Sequence, residues 1–213
     1  MMDTVDYNMD NDLRKAIAED KEYYFGRGVK KYYRMLTHNP LYQRGRYIII
    51  CRKLGFYSSR TGLLYKVLTI IYQRRKNIIG EKIHIELGTN NFGRRLRIYH
   101  NDIIVNAGAV IGDDCELYGN NCIGNKGSNS PALTAPVLGK SVSLGVGASI
   151  VGPVNVADGI KISGLSFVNK DLNCPNSLYG GGSGGIYKRA MSSLTRRYMI
   201  WDSYQSLEAS YCI

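Results

Sequence analysis

The chain has 213 residues, 44% of them hydrophobic and 21% charged, with a formal net charge of +11. That length is enough to bury a core, and that composition excludes a disordered, collagenous or membrane-embedded chain. The surplus positive charge suits a phosphate-bearing ligand or an anionic membrane surface; no aromatic RNA-binding signature or zinc finger accompanies it, so nucleic acid is not expected.

The first twelve residues are acidic and polar, unlike a secretory leader. From Asp12 to Ala18 a first helix opens, with Asp10 or Asn11 as its N-cap. Residues 28–37 make a second helix, which Asn39-Pro40 breaks. Residues 41–53 and 62–76 mix large apolar residues with Arg and Lys. The spacing of Leu64, Val67, Leu68 and Ile71 is helical. Residues 1–80 therefore read as a helical segment. Its apolar runs are too short to cross a bilayer. The five cysteines, Cys51, Cys115, Cys122, Cys174 and Cys212, are odd in number and form no CxxC, which points to a reducing, cytoplasmic setting and to no metal.

After residue 80 the period changes. Phe92 and Ile98 are six apart, and Val105, Ile111, Leu117 and Ile123 follow in sixes. Leu138, Leu144, Ile150, Val156, Ile162 and Val168 keep the same step, and the next residue is often Gly, Ala or Ser. A hexapeptide repeat predicts a parallel β-helix: each six residues make one short strand and a corner, and three make a coil. The apolar residue points inward, and the small one permits the tight turn. The β-helix is expected over residues 81–172. One extra residue lies between Ile98 and Val105, just beyond His100, and the polar stretch 124–136 must leave the coil as an extruded loop. Residues 173–213 read as a Gly-rich linker, from Tyr179 to Gly185, and a basic tail.

The segment Phe92-Gly93-Arg94-Arg95-Leu96-Arg97-Ile98-Tyr99-His100, the strand Ile103-Ile104-Val105 and the coil Ala109-Val110-Ile111-Gly112-Asp113 resemble the serine acetyltransferases and their saccharide-acetylating relatives. The likeness continues in Pro136-Val137-Leu138-Gly139, Leu144-Gly145-Val146-Gly147-Ala148 and Val168-Asn169-Lys170-Asp171. The resemblance implies a left-handed parallel β-helix, assembly as a homotrimer, and acetyl transfer from acetyl-CoA to an acceptor hydroxyl. It implies His100 as general base, since a hydroxyl must lose its proton to attack a thioester and an imidazole does this near neutral pH. A carboxylate one coil earlier would orient the ring. Glu86, between Ile85 and Leu87, is the candidate, and the frame also admits His84. Gly145, Gly147, Ala148, Ser163 and Gly164 match the wall against which the family lays pantetheine, and Lys170 is a candidate for a CoA phosphate.

Two departures bear on the acceptor. The family's Arg-His-Pro element, which holds the serine carboxylate, is missing from the loop, and Tyr99 replaces the aspartate before the base. A zwitterion needs a cation, best a forked Arg, yet the loop offers Lys126 beside Asn125, Ser128, Asn129, Ser130 and Thr134, groups suited to sugar hydroxyls. A saccharide acceptor is therefore expected first and serine second, with an inactive β-helix scaffold as a further alternative. Arg94, Arg95 and Arg97 are candidates for a missing cation. The basic, amphipathic first half also suits peripheral work at a membrane surface. A zinc carbonic anhydrase on the same coil would need three clustered histidines. The chain has only His38, His84 and His100, and His38 lies in the helical part.

Overall fold

The computed structural model describes residues 3–89, 91–127 and 135–181. Four helices come first: α1 Asp3–Phe25, α2 Val29–Leu36, α3 Pro40–Ser58 and α4 Leu63–Ile83. The first begins nine residues before the expected start, so Asn11 lies inside it and caps nothing. Asn39 ends no more than a turn: its side chain accepts the Leu41 N–H (2.9 Å), and Pro40 takes the first position of α3, where no N–H is needed. Helix α4 ends on His84 in the left-handed conformation.

Short strands follow: β1 Ile85–Glu86, β2 Arg97–Ile98, β3 Ile103–Val105, β4 Val110–Ile111, β5 Glu116–Leu117, β6 Cys122–Gly124, β7 Val137–Leu138, β8 Ser143–Leu144, β9 Ser149–Val151, β10 Asn155–Val156, β11 Lys161–Ile162, β12 Phe167–Val168 and β13 Leu178–Tyr179. They stack in parallel as three sheets, β1-β3-β6-β9-β12, β4-β7-β10 and β2-β5-β8-β11-β13. The three faces form a left-handed β-helix, with each strand paired to its equivalent one coil away. The residues of the six-step frame are its core. Ile98, Leu117, Leu144 and Ile162 form one buried column, Val105, Ile123, Ile150 and Val168 a second, and Ile111, Leu138 and Val156 a third.

The coil does not stop at 172. Leu172 bridges to Val156, and β13 pairs with β11 through Leu178 and Tyr179. The spacing from Val168 to Leu172 and on to Tyr179 leaves the six-residue frame, which hides this last turn from a periodicity reading. The Gly-rich stretch beyond Gly181, the tail, and loop residues 128–134 lie outside the described residues.

The helices close the first end of the coil. Strands β1 and β2 are edge strands, and their backbone groups would face water or another chain. Two tyrosines occupy them instead. Tyr24 Oη donates to the Leu96 carbonyl and accepts the Ile98 N–H, both at 2.9 Å. Tyr47 Oη accepts the Leu87 N–H at 3.2 Å. Both rings are buried in the same core as the columns, and burial holds both phenols above their ordinary pKa.

Charged pairs fasten the same joint. Arg52 Nε donates to Asp20 Oδ2 at 2.5 Å, its Nη2 donates to the Gly93 carbonyl at 2.9 Å, and its guanidinium lies over the Phe92 ring. Arg94 pairs with Glu19, and Arg95 forks onto Asp114 at 2.5 and 2.6 Å.

Candidate active site

The repeat explains where His100 stands. Strand β2 ends at Ile98, whose side chain must point inward, so the next residues begin a corner. The extra residue before Val105 widens that corner, and Asp102 adopts a positive φ of 61° there. His100 is exposed on this edge, between the β2 and β3 faces.

One coil on, the same edge carries Gly119. Its φ of 117° disfavours any side chain, and a Cβ placed there would stand 2.6 Å from His100 Cβ. The Gly147 N–H donates to the Gly119 carbonyl, and the Leu165 N–H to the Val146 carbonyl, so the edge runs from His100 through Gly119 and Val146 to Gly164. A Cβ on Gly164 would meet the Val146 carbonyl at 3.0 Å. Gly145, Gly147, Ser163 and Gly164 therefore share one edge with His100, and the exposed side chains of Val146 and Leu165 stand among them, Leu165 lying against Gly147. The edge can receive a thin, extended ligand.

Two of the expected groups are placed otherwise. Ala148 is fully buried, its methyl turned into the coil and its carbonyl bonded to Asn121 Nδ2 at 3.1 Å, so it offers no side chain to that edge. Lys170 follows β12, and a strand must be crossed to reach it; it is exposed near the next corner, away from His100.

Nor does the structure bring Glu86 to His100. The register pairs Glu86 with Ile104, the fourth residue after His100 and beyond the widened corner. No hydrogen bond or ion pair joins the two side chains. Glu86 is exposed and lines a cleft of about 610 Å³ between α4 and β1, with Tyr47, Lys76, His84, Asp102 and Ile104. The other candidate, His84, turns to Asp102 instead, Nδ1 to Oδ1 at 3.2 Å.

Beside His100 lies a polar aromatic patch. The rings of Tyr99 and Tyr118 stack at 4.6 Å, and their hydroxyls donate to Glu116 at 3.1 and 3.4 Å. Ser143 Oγ donates to the same carboxylate at 3.1 Å. Burial, then the Glu116 charge, holds the Tyr99 phenol above its ordinary value. Arg97 points into this patch, 3.5 Å from Glu116 and over the Tyr23 ring. With Arg94 and Arg95 paired at the joint, all three arginines considered from the sequence are engaged with acidic partners.

A different arginine reaches the corner. Arg44 of α3 is 8% exposed, and its Nη1 donates to Asn101 Oδ1 at 3.1 Å, on the residue after His100. Its Nε is buried without a hydrogen-bond partner among the described residues. Burial lowers its pKa, a sign of a guanidinium withdrawn from water and short of partners. Nothing in the sequence marks Arg44 out, because it lies 57 residues from the group it meets.

Known proteins bear on this arrangement. The chain is 25% identical over 133 residues to a serine acetyltransferase of Buchnera aphidicola, a match that covers 62% of this chain and 49% of the relative. It is 27% identical over 137 residues to a serine acetyltransferase of Helicobacter pylori, covering 64% of this chain and 77% of that one. The match thus spans about half the length of the Buchnera protein. No family model matches the chain. Among solved structures, soybean serine acetyltransferase aligns with a TM-score of 0.65 at 19% identity, over 86% of this chain and 71% of that one. The Brucella abortus serine acetyltransferase, solved in complex with coenzyme A, aligns with a TM-score of 0.65 at 16% identity, over 89% and 72%. The sequence relatives and the solved structures that share this fold thus carry the same name, serine acetyltransferase.

Proposed function

We propose that the chain is the subunit of an acetyl-CoA-dependent O-acetyltransferase, with His100 as its general base. The observation that supports this best is the edge on which His100 is exposed, followed coil by coil by Gly119, Gly145, Gly147 and Gly164. The pantetheine arm of acetyl-CoA suits an edge of glycines flanked by the exposed aliphatic side chains of Val146 and Leu165. His100 takes the proton of the acceptor hydroxyl as its oxygen attacks the thioester carbonyl. The tetrahedral species collapses, the C–S bond breaks, and the thiolate leaves with the proton returned by the imidazolium.

For the acceptor, serine is the better supported of the two readings, over the saccharide expected from the loop. The relatives found carry the serine acetyltransferase name. The objection that no cation serves a carboxylate weakens with Arg44, whose guanidinium sits one residue from His100 and uses one of its donors on Asn101. A trimer is part of the proposal, because a cofactor edge on one β-helix is completed by a neighbouring copy in the family. A cytoplasmic setting goes with it.

The test supplies acetyl-CoA with L-serine or with a panel of sugars and nucleotide sugars and follows thiol release. Serine-dependent release, lost in His100→Ala, is expected. Release on saccharides alone would return the acceptor to the first reading, and no release with any acceptor, together with no CoA binding, would leave an inert scaffold.

A further inference from the structure

Residues 23–80 contain thirteen Lys and Arg and not one Asp or Glu. The rest of the chain then holds fifteen basic and seventeen acidic residues, so the whole surplus of +11 is carried by this helical stretch. Ordinary solvated helices interleave both signs, which relieves self-repulsion. A one-signed segment that also exposes apolar groups has a partner to meet.

Helix α4 supplies those groups. Across its 21 residues only Gly80 and Ile83 are buried. Leu63, Leu64, Val67, Ile70, Ile71 and Ile78 recur at helical spacing on the side turned away from α3, and they are between 42% and 80% exposed. Arg74 falls within this stripe on the helical wheel, with Lys66 and Arg75 at its margins, all exposed. Helix α2 repeats the pattern in small: Val29, Tyr32, Tyr33 and Leu36 are exposed along one stripe, beside Lys30 and Lys31, and none of its residues is buried.

We propose that the outer face of α4 docks the subunit onto an anionic lipid bilayer, with α4 lying in the interface. Six aliphatic side chains suit the boundary of headgroups and acyl chains, and the cations within and beside them suit acidic headgroups. No described helix is long and apolar enough to cross a membrane, so the contact is superficial. A nucleic acid would satisfy the charge and leave the aliphatic stripe against water. A second copy would satisfy the stripe and oppose Lys66, Arg74 and Arg75 to themselves, with no carboxylate on α4 before Glu81.

The experiment is flotation of the full chain with vesicles of phosphatidylglycerol and phosphatidylcholine in equal parts, and with phosphatidylcholine alone; it requires no acetyl transfer. Flotation with the mixed vesicles only, weakening as salt is raised, is expected. Val67→Glu with Ile70→Glu is expected to weaken binding by about a hundredfold or more. Arg74→Gln with Arg75→Gln is expected to weaken it by about thirtyfold. Circular dichroism reports whether each variant keeps its fold, and Ile70→Ser offers a gentler change at the same face. The proposal is overturned if the chain does not float with the mixed vesicles, or if the glutamate pair leaves flotation unchanged. It is also overturned if the glutamate pair splits a larger assembly in the absence of lipid, or if DNA competes the chain off the vesicles.

Discussion

His100 owes its setting to a missing side chain. Gly119 lies directly against it, and the His100 Cβ keeps its place because that position carries hydrogen alone. Two substitutions separate the base from its setting. His100→Ala is expected to lower the acetyl-transfer rate by about 10²–10⁴-fold, the usual worth of general-base catalysis, with CoA affinity nearly unchanged. Gly119→Ala keeps the base and pushes on its Cβ, and a displacement of that order is expected to lower the rate by about 10²-fold. Both are read from steady-state kinetics with CoA binding measured by calorimetry. Glu86→Gln is expected to cost less than about tenfold, since no bond ties Glu86 to the ring. A loss for Glu86→Gln equal to that of His100→Ala would mean that the two carboxyl and imidazole groups meet during turnover.

Ion pairs of two kinds gather where the helical segment meets the β-helix: Asp20 with Arg52 joins α1 to α3, Glu19 with Arg94 joins α1 to the coil, and Asp114 with Arg95 lies within the coil. Asp20 and Arg52 are buried, with side chains 1% and 9% exposed. Removing one partner there strands the other's charge, so Asp20→Ala is expected to destabilise the protein by about 3–5 kcal/mol, read from the urea midpoint. Glu19 with Arg94 and Asp114 with Arg95 are more open, and each arginine bond holds its carboxyl below the usual range. The unfolded chain therefore takes up protons first as pH falls, and the stability these pairs add above about pH 4 is lost below it. Asp20 opposes this, because burial holds its carboxyl high. The thermal midpoint is expected to drop as pH falls through the carboxylate range, and Arg94→Gln with Arg95→Gln is expected to flatten that drop. An equal pH dependence in the variant would place the acid-sensitive groups elsewhere.

At the scale of the molecule, the flat faces of the coil remain unfinished in one chain. Ile104 and Phe167 stand exposed on one face, and Val110 and Val137 on another. Light scattering is expected to return about three times the mass of the chain, and Phe167→Lys is expected to lower it; a stable, active monomer would refute the trimer. The architecture was legible because Val105, Ile111, Leu117 and Ile123 each repeat one physical requirement, an inward apolar group every six residues. The last turn was not, since Leu172 and Tyr179 fill the core at other spacings. The corner that carries His100 was legible for the same reason as the coil, being marked by the extra residue after it. Arg44, by contrast, meets Asn101 only because α3 folds back over the first coil, and the inward turn of Ala148 was not legible because a small residue can face either into or out of a corner.

The tyrosine hydroxyls at the first end of the coil have a consequence for growth. A stack of parallel strands is a template that can add another chain at either terminus, one hydrogen-bonded layer at a time. Tyr24 and Tyr47 terminate that addition with two oxygens where a further strand would present its own amides and carbonyls. Replacing both with phenylalanine would keep the rings in the core and leave the Leu87 and Ile98 amides and the Leu96 carbonyl without their partners beneath the helices, so the end that two hydroxyls complete would become the place where the coil first loosens.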